Sequence, residues 1–397
     1  MKVVFLALSF SDVRNSSNLY VDLMHEFRSQ GHEVFVIAPS IDDEKKSQLK
    51  DECGVKVLRV PTLKLFGTGK IMKGISNMLL PRQFKRALKR HNVPLDFDLI
   101  ILPTPPITLI DVGLWLKKKS GGILYLILRD IFPQNAVDLK MMKPKGPVYQ
   151  YFRKKEVELY NGSDSIGCMS PANIRYVLEH NPYLDPSKLH LLPNWEKAHE
   201  VPSDKDDDEI RERYGLKDKF VVIFGGGHGL PQRMENVLDL AKECEDYHDI
   251  LFFLVGPGTE KKRLERLAKE MELENVSFMD YVPRYDFNKV LSLADVGLIS
   301  LNQDFTIPNF PSKVNSYFSN KIPVLASIDV NTDFGTMLEE RRCGLWSEAG
   351  NTASFKKNLL RLYNDENLRK EFGENGYNYL INNLLPHHAY DIICNNI

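Results

Sequence analysis

No two cysteines in this chain of 397 residues have CxxC spacing, and Cys53, Cys168, Cys244, Cys343 and Cys394 are scattered and odd in number. That leaves no basis for a disulfide framework or a thiolate zinc site and fits a reducing compartment. A surplus of either charge is also missing. The 52 Lys and Arg against 53 Asp and Glu give a formal net charge of −1, which argues against bulk nucleic-acid binding. No apolar run reaches the length of a membrane span, and the most apolar region, 99–116, is interrupted by Pro103, Pro105, Pro106 and Asp111. The opening MKVVFLALSF has too short an apolar run, and no small-residue cleavage site, for a signal peptide; it reads as a first buried strand. Solenoid repeats and low-complexity tracts are absent. The expectation is a cytoplasmic protein able to touch a membrane surface.

What the chain does have is 43% hydrophobic and 26% charged residues, a soluble globular balance, and the length for two domains. Strands and helices alternate twice over. In the first half, strands are expected at 3–8, 33–38, 56–61, 99–102, 122–128, 165–169 and 189–192, with helices at 19–28 and 173–180. Gly31 stands where a C-cap glycine belongs. The segment 197–209 is polar. Its Asp204 and Asp206 have the spacing of metal-binding carboxylates but read as a solvated linker. A second series follows: strands at 220–224, 250–255, 276–279, 296–300 and 324–326, helices near 234–244 and 260–271. Alternation of this kind implies βαβ units and parallel sheets that bind ligands at the strands' carboxyl ends. The expected fold class is α/β, two Rossmann-like domains facing a central cleft. The boundaries are 1–196 and 197–375, with a helical tail, 376–397, packing back on the first domain.

Chemistry concentrates in the second half. Gly225 to Gly229, with His228 among them, come straight after a strand and before a helix. There glycine lets the backbone approach a ligand, and a helix N-terminus favours an anion. A phosphate is the natural occupant, and Arg233, placed just inside the helix, would add a charge. In the run Ile307–Val314, which includes Asn309, Ser312 is read as an N-cap. Lys313 then falls in the helix's first turn, where a cation is unfavourable unless an anion sits beside it. From Lys64 to Arg90 there is no acid. Lys64, Lys70, Lys73, Arg82, Lys85, Arg86, Lys89 and Arg90 alternate with Leu65, Phe66, Ile71, Ile75, Met78, Leu79, Leu80 and Phe84. That mixture suits anionic headgroups or a lipid diphosphate, and equally an ordinary surface helix with a buried apolar stripe.

Several segments, in order, resemble the family 4 glycosyltransferases, retaining enzymes of the two-Rossmann GT-B fold. They are Gly31-His32-Glu33-Val34; Leu128-Arg129-Asp130-Ile131-Phe132-Pro133; Leu192-Pro193-Asn194; Gly226-Gly227-His228-Gly229-Leu230-Pro231-Gln232; Leu254-Val255-Gly256-Pro257-Gly258; Tyr281-Val282-Pro283; Pro311-Ser312-Lys313; and Lys321-Ile322-Pro323-Val324. The resemblance covers nearly all of the chain. It implies transfer of a sugar from a nucleotide diphosphate donor, a UDP-sugar, to a glycan or polyprenyl-diphosphate-linked acceptor, in the branch that assembles bacterial surface polysaccharide. The sugar would be of hexosyl or N-acetylhexosaminyl type. The implied donor groups are Gly226, Gly227, His228, Gly229, Gln232, Arg233, Val282 at the base, Asn309, Ser312, Lys313 and Ser316. Arg129 and Asp130 are the implied catalytic pair, with Asp130 orienting or deprotonating the acceptor; N-capping the next turn is its other reading. Two glutamates usual in the family fall on Pro308 and Ser316, its phosphate lysine on Gln232, its histidine on Arg129, and its glycine-rich first loop on Ser9–Ser17. No metal and no cofactor are expected, because protein groups would meet the leaving diphosphate's charge. A peripheral position at the inner face of the plasma membrane would follow from the basic segment. A sugar-nucleotide epimerase of the same fold is the alternative.

Overall fold

The computed structural model describes every residue except 15–16, 42–43, 66–68, 199–207, 281 and 283, and omits the side chains of 70, 71, 73, 284 and 285. The carboxylates of Asp204 and Asp206 therefore lie outside the described residues. The chain divides into two compact units: Met1–Lys197 with Pro386–Ile397, and Ala198–Leu385.

In the first unit, β1 (Lys2–Leu6), β2 (Glu33–Pro39), β3 (Gln48–Glu52), β4 (Val55–Val60), β5 (Leu99–Pro103), β6 (Ile123–Leu128), β7 (Ser165–Cys168) and β8 (Leu189–Leu191) form one sheet, in the order β3-β4-β2-β1-β5-β6-β7-β8. All neighbours are parallel except β3 and β4. Strands covered on both faces need apolar residues throughout, which is why β5 and β6 read as continuous apolar runs. Val3, Phe5, Val36, Ile101 and Ile127 face one side, where they meet Leu23, Met24 and Phe27 of the helix Leu19–Ser29. Fully burying each such side chain contributes about 1.5–3 kcal/mol. Asn18 starts that helix by accepting hydrogen bonds from the amides of Tyr20 and Val21. The same core takes Ala389 and Ile393 from the last helix, Pro386–Asn395. The tail therefore divides later than 376: the helix Glu366–Asn383 stays with the second unit, and a new helix begins at Pro386.

The second unit has β9 (Phe220–Gly225), β10 (Ile250–Val255), β11 (Val276–Met279), β12 (Val296–Ser300), β13 (Val324–Ile328) and β14 (Gly344–Glu348), all parallel, in the order β11-β10-β9-β12-β13-β14. Successive residues of β9 feed opposite faces. Val221 and Ile223 pack with Phe253, Ile299 and Phe318, and Val222 and Phe224 with Phe252, Leu254 and Leu238. In both sheets the strand order reverses once, between β1 and β5 and between β9 and β12. Open α/β sheets bind ligands beyond the carboxyl ends of the strands at such a reversal.

Candidate active site

At the second reversal, the glycine loop follows β9. Gly226, at φ +146, donates its amide to Val255 O (2.9 Å), and His228 donates its amide to Pro257 O (2.9 Å). Gly229 donates to Gln232 Oε1 (3.2 Å). The loop is thus laced to Gly256-Pro257-Gly258. A Cβ on Gly256 would stand 2.2 Å from Gly226 O, and one on Gly258 2.0 Å from His228 O. Glycine is required at both places by the closeness of the two backbones. Four of the five loop amides, those of Gly225, Gly226, His228 and Gly229, are spent on internal bonding, which corrects the expectation that the loop's amides point at an anion. Gly227, exposed, is the loop residue whose amide takes no part in it.

The helix also starts later than expected. A tight turn, Leu230–Gln232, and Arg233 at φ +37 come before the helix Glu235–Glu243. Arg233 is therefore outside the helix, although still at the strand's end, where its carbonyl accepts from Ser300 Oγ (3.2 Å). Gln232 is occupied by Gly229. The side chain of His228 is fully buried, between the rings of Phe224 (5.4 Å) and Phe278 (6.0 Å), and neither ring nitrogen has a hydrogen-bond partner. Burial pulls its pKa down to about 4, opposed by the nearby backbone of Gly256 and Pro257 and aided by the Lys261 and Lys313 cations. The ring is neutral and structural, and only the backbone of His228 faces the loop.

Lys313 closes this side. It stands at the N-cap position of the helix Val314–Ser319, so Ser312, expected there, is not the cap; its carbonyl accepts from Asn315 N (3.2 Å). The Lys313 Nζ lies 3.6 Å from the centroid of Phe224 and 3.0 Å from where a Cβ on Gly226 would be. No carboxylate pairs with it among the described residues. Desolvation pulls its amine down to about 7. One residue that the sequence reading missed holds the two strands at this point. Tyr317 OH donates to Leu298 O (3.0 Å), lies 3.3 Å from Ile223 O, and accepts from Gly225 N (3.4 Å). Its ring covers Gly297, where a Cβ would be 2.5 Å away. A glycine inside a β-strand was the available signal.

The remaining donor candidates are less direct. Asn309 donates to Ile307 O (3.3 Å), and its carbonyl accepts from Thr332 Oγ1 (2.5 Å). Ser316 is half-buried one turn on from Lys313, and its carbonyl accepts from Asn320. Val282 is buried in the core beside Val221 and Val290, so its side chain cannot meet a base; Tyr281 and Pro283 lie outside the described residues.

One strand beyond the first reversal, Arg129 and Asp130 follow β6. Their amides both donate to the buried hydroxyl of Thr104, at 3.0 and 3.2 Å, and Thr104 donates its own amide to Ile127 O (3.0 Å). Nothing in the sequence singles out Thr104. Asp130 does not cap the next helix, whose N-cap is Pro133. Burial raises its pKa, opposed by the Arg129 charge. Nearby Tyr20, its ring 5.2 Å from Phe5, lies within electrostatic reach of both. Among the described residues, no group of three His, Cys, Asp or Glu converges as metal ligands.

Comparison with known proteins decides what two such sites belong to. Residues 17–195 match the model described as Glycosyltransferase Family 4, and residues 206–379 the model described as Glycosyl transferases group 1. The chain belongs to the family 4 glycosyltransferases. WbjE of Pseudomonas aeruginosa, by name a glycosyltransferase, is 23% identical over 62% of this chain and 61% of its own length, so that match spans about three fifths of the relative. WcaI of Escherichia coli, assigned by name to colanic acid biosynthesis as a glycosyl transferase, is 24% identical over 85% of this chain and 86% of its own. Among solved structures, HepE of Anabaena in complex with UDP-glucose superposes with a TM-score of 0.73 at 14% identity, covering 100% of this chain and 98% of that one. That likeness shows the GT-B fold. Membership leaves the epimerase reading of this glycosyltransferase without support.

Proposed function

We propose that this glycosyltransferase is a metal-independent, retaining hexosyl- or N-acetylhexosaminyltransferase. It moves a sugar from a UDP-sugar to a glycan or polyprenyl-diphosphate-linked acceptor in bacterial surface-polysaccharide assembly. The observation that carries the reading is Lys313, an ammonium with no carboxylate partner held over Phe224 beside Gly226 at the second sheet's reversal. An unpaired cation in a desolvated place is costly, and a diphosphate would relieve the cost. As the sugar–phosphate bond breaks, negative charge grows on the diphosphate, where Lys313, the Gly227 amide and Arg233 can meet it. Asn309, Ser312 and Ser316 would supply neutral hydrogen bonds nearby, and the main chain of Val282 itself would meet the base. In the first unit, Asp130 takes or orients the acceptor's hydroxyl proton, its raised pKa suiting proton exchange, with Arg129 beside it. The named relatives WcaI and WbjE support a polysaccharide context, and HepE with UDP-glucose supports a UDP-sugar.

The helix Lys70–Arg90 supports a peripheral membrane position. Met72, Ile75 and Met78, then Arg82, Arg86, Lys89 and Arg90, are exposed along it, while Leu80 and Phe84 are buried, as is Leu65 just before it. None of those four basic residues is in an ion pair among the described residues. No helix among the described residues is long and apolar enough to cross a membrane.

The test is UDP-glucose turnover with and without chelator, with the product's anomeric configuration read by NMR. Retention and indifference to EDTA are expected. Inversion, or activity lost to EDTA and restored by magnesium or manganese, would overturn the corresponding part.

A further inference from the structure

Under the segment that follows β1 lies an ion pair with both partners almost wholly buried: Arg59, with 2% of its side chain exposed, and Glu52, with 3%. Arg59 donates Nε to Glu52 Oε1 (2.9 Å) and Nη2 to Oε2 (2.7 Å) in a two-pronged fork. Its remaining donors go to backbone: Nη1 to Phe10 O, and Nη2 to Ser11 O (3.1 Å). Glu52 Oε2 also accepts the amide of Val13 (3.2 Å). The backbone at 10, 11 and 13 is thus held by side chains from β4 and β3, while the side chains of Phe10 and Val13 pack into the core.

Burying two charges costs several kcal/mol each, and an apolar pair of similar volume usually stabilises as well or better. Stability therefore does not account for this pair. Its fixed fork, with all the bonds above made, is a way to impose one backbone course. What that course presents is Ser9, Ser11, Asp12 and Arg14, which are exposed or half-exposed. Asp12 and Arg14 are already locked together: Asp12 accepts from Arg14 N (3.0 Å), Nε (2.9 Å) and Nη2 (2.5 Å), and its carboxyl is held down at about 2 by those bonds. The segment leaves β1 at the reversal; β1 neighbours β5, and Thr104, just past the end of β5, anchors the amides of Arg129 and Asp130.

We propose that Glu52 and Arg59 are positioning residues that fix Ser9–Arg14 as a preformed wall of the acceptor site in the first unit. The inference rests on the reading of that unit as the acceptor side. The test compares wild type with Glu52→Gln, Arg59→Lys and the double variant Glu52→Leu/Arg59→Met. Thermal unfolding, UDP calorimetry, amide exchange at 10–13, and transfer from UDP-glucose to a panel of p-nitrophenyl hexosides would be measured. The double variant should keep its unfolding temperature, yet exchange at Val13 should quicken by about tenfold or more. Acceptor KM should rise by about tenfold while UDP affinity holds. Glu52→Gln should fall between, and Arg59→Lys, without the fork, near the double variant. Unchanged exchange at 10–13 would overturn the clamp, and faster exchange with unchanged acceptor KM its link to the acceptor. A wild type that ignores UDP would sink the donor reading instead, leaving exchange to judge the clamp.

Discussion

The two reversals are built of different materials. In the second unit the ligand side is nearly all backbone: glycines laced edge to edge, one exposed amide, and one unpaired lysine over a phenylalanine. In the first unit the backbone is pinned by buried side chains, the Thr104 hydroxyl under Arg129 and Asp130 and the Glu52–Arg59 pair under Phe10–Val13. A diphosphate is the same in every donor, so a site that greets it can be made of main chain and a cation. An acceptor differs from one glycan to another, and a wall of side chains can be changed residue by residue.

The sharpest way to break that comparison is Lys313→Ala. Removing one charge that meets the transition state should cut turnover by about 10²–10³-fold. The unfolding temperature should hold or rise, since the side chain has no ion pair and its desolvated charge is a cost to the free fold, and UDP affinity should fall. Charge is the operative property, so pH should mimic the deletion. With the amine at about 7, the free enzyme loses the cation as pH rises through that value, and UDP binding at pH 8 should take up a proton. Lys313→Arg, which does not titrate, should abolish the uptake in calorimetry across buffers of different ionisation enthalpy. Intact turnover in Lys313→Ala would remove the lysine from the donor site.

Asp130→Asn is the matching cut in the first unit. Loss of a proton-exchanging group should lower turnover by about 10²-fold. UDP affinity should stay as it was, because the donor groups are elsewhere. A variant that loses UDP binding as well would erase the division between the units.

How much of this was legible in the sequence follows the same division. Backbone sites announce themselves, because glycine and proline are rare enough to read: Gly225–Gly229 and Gly256-Pro257-Gly258 were placed correctly at strand ends. Lys313 stood out as a cation in the wrong part of a helix, although that helix starts one residue beyond it. Side-chain pins were invisible. Thr104 follows an apolar strand and has no motif. β3, of sequence QLKDE, has too little apolar character to look like a strand, so Glu52 could not be paired with Arg59. β14, GLWSE, is short and only partly buried, and its period is equally blurred. His228 was misread because a histidine in a glycine loop looks like a ligand until packing between two phenylalanines is seen.

That buried ring provides a third test, now of the lacing. Neutral and unpartnered, His228 titrates near 6.5 when unfolded and at about 4 when folded. The unfolded chain therefore binds the extra proton first, and stability present above pH 6.5 is lost as pH falls toward 4. The loss should amount to about 2–3 kcal/mol. The amine of Lys313, which faces the ring and is pulled down to about 7, titrates mostly above that window, and what it still takes up within it has the same sign. His228→Leu should flatten this acid limb in urea unfolding at pH 7 and 4.5. An equally steep limb in the variant would assign the acid loss to other groups.

The smallest expected effect concerns the surfaces, where one helix of each unit gives the contrast. In the second unit, the helix Lys261–Glu270 has cations tied to neighbours: Lys261 to Asp280 (2.5 Å), and Arg263 to Glu260 (2.8 Å) and Glu235. In the first, Arg82, Arg86, Lys89 and Arg90 are unpaired and outward on a helix with no acid, beyond the exposed Met72, Ile75 and Met78. Untied cations near an anionic leaflet contribute on the order of 1 kcal/mol each, so each single reversal to glutamate should weaken binding to phosphatidylserine vesicles by several-fold. Lys85 is the internal control. It is half-buried, with its Nζ 5.9 Å from the Trp115 ring, and its pKa is lowered by burial. Replacing it should cost packing, seen as a lower unfolding temperature, but little vesicle affinity. Added salt should weaken wild-type binding in proportion to the exposed charges, because screening acts on them and not on the apolar half of the stripe. Met78→Ser should then lower affinity equally at low and high salt. Wild type that ignores such vesicles at low salt would make the helix an ordinary surface element, and the two units would then differ only at their reversals.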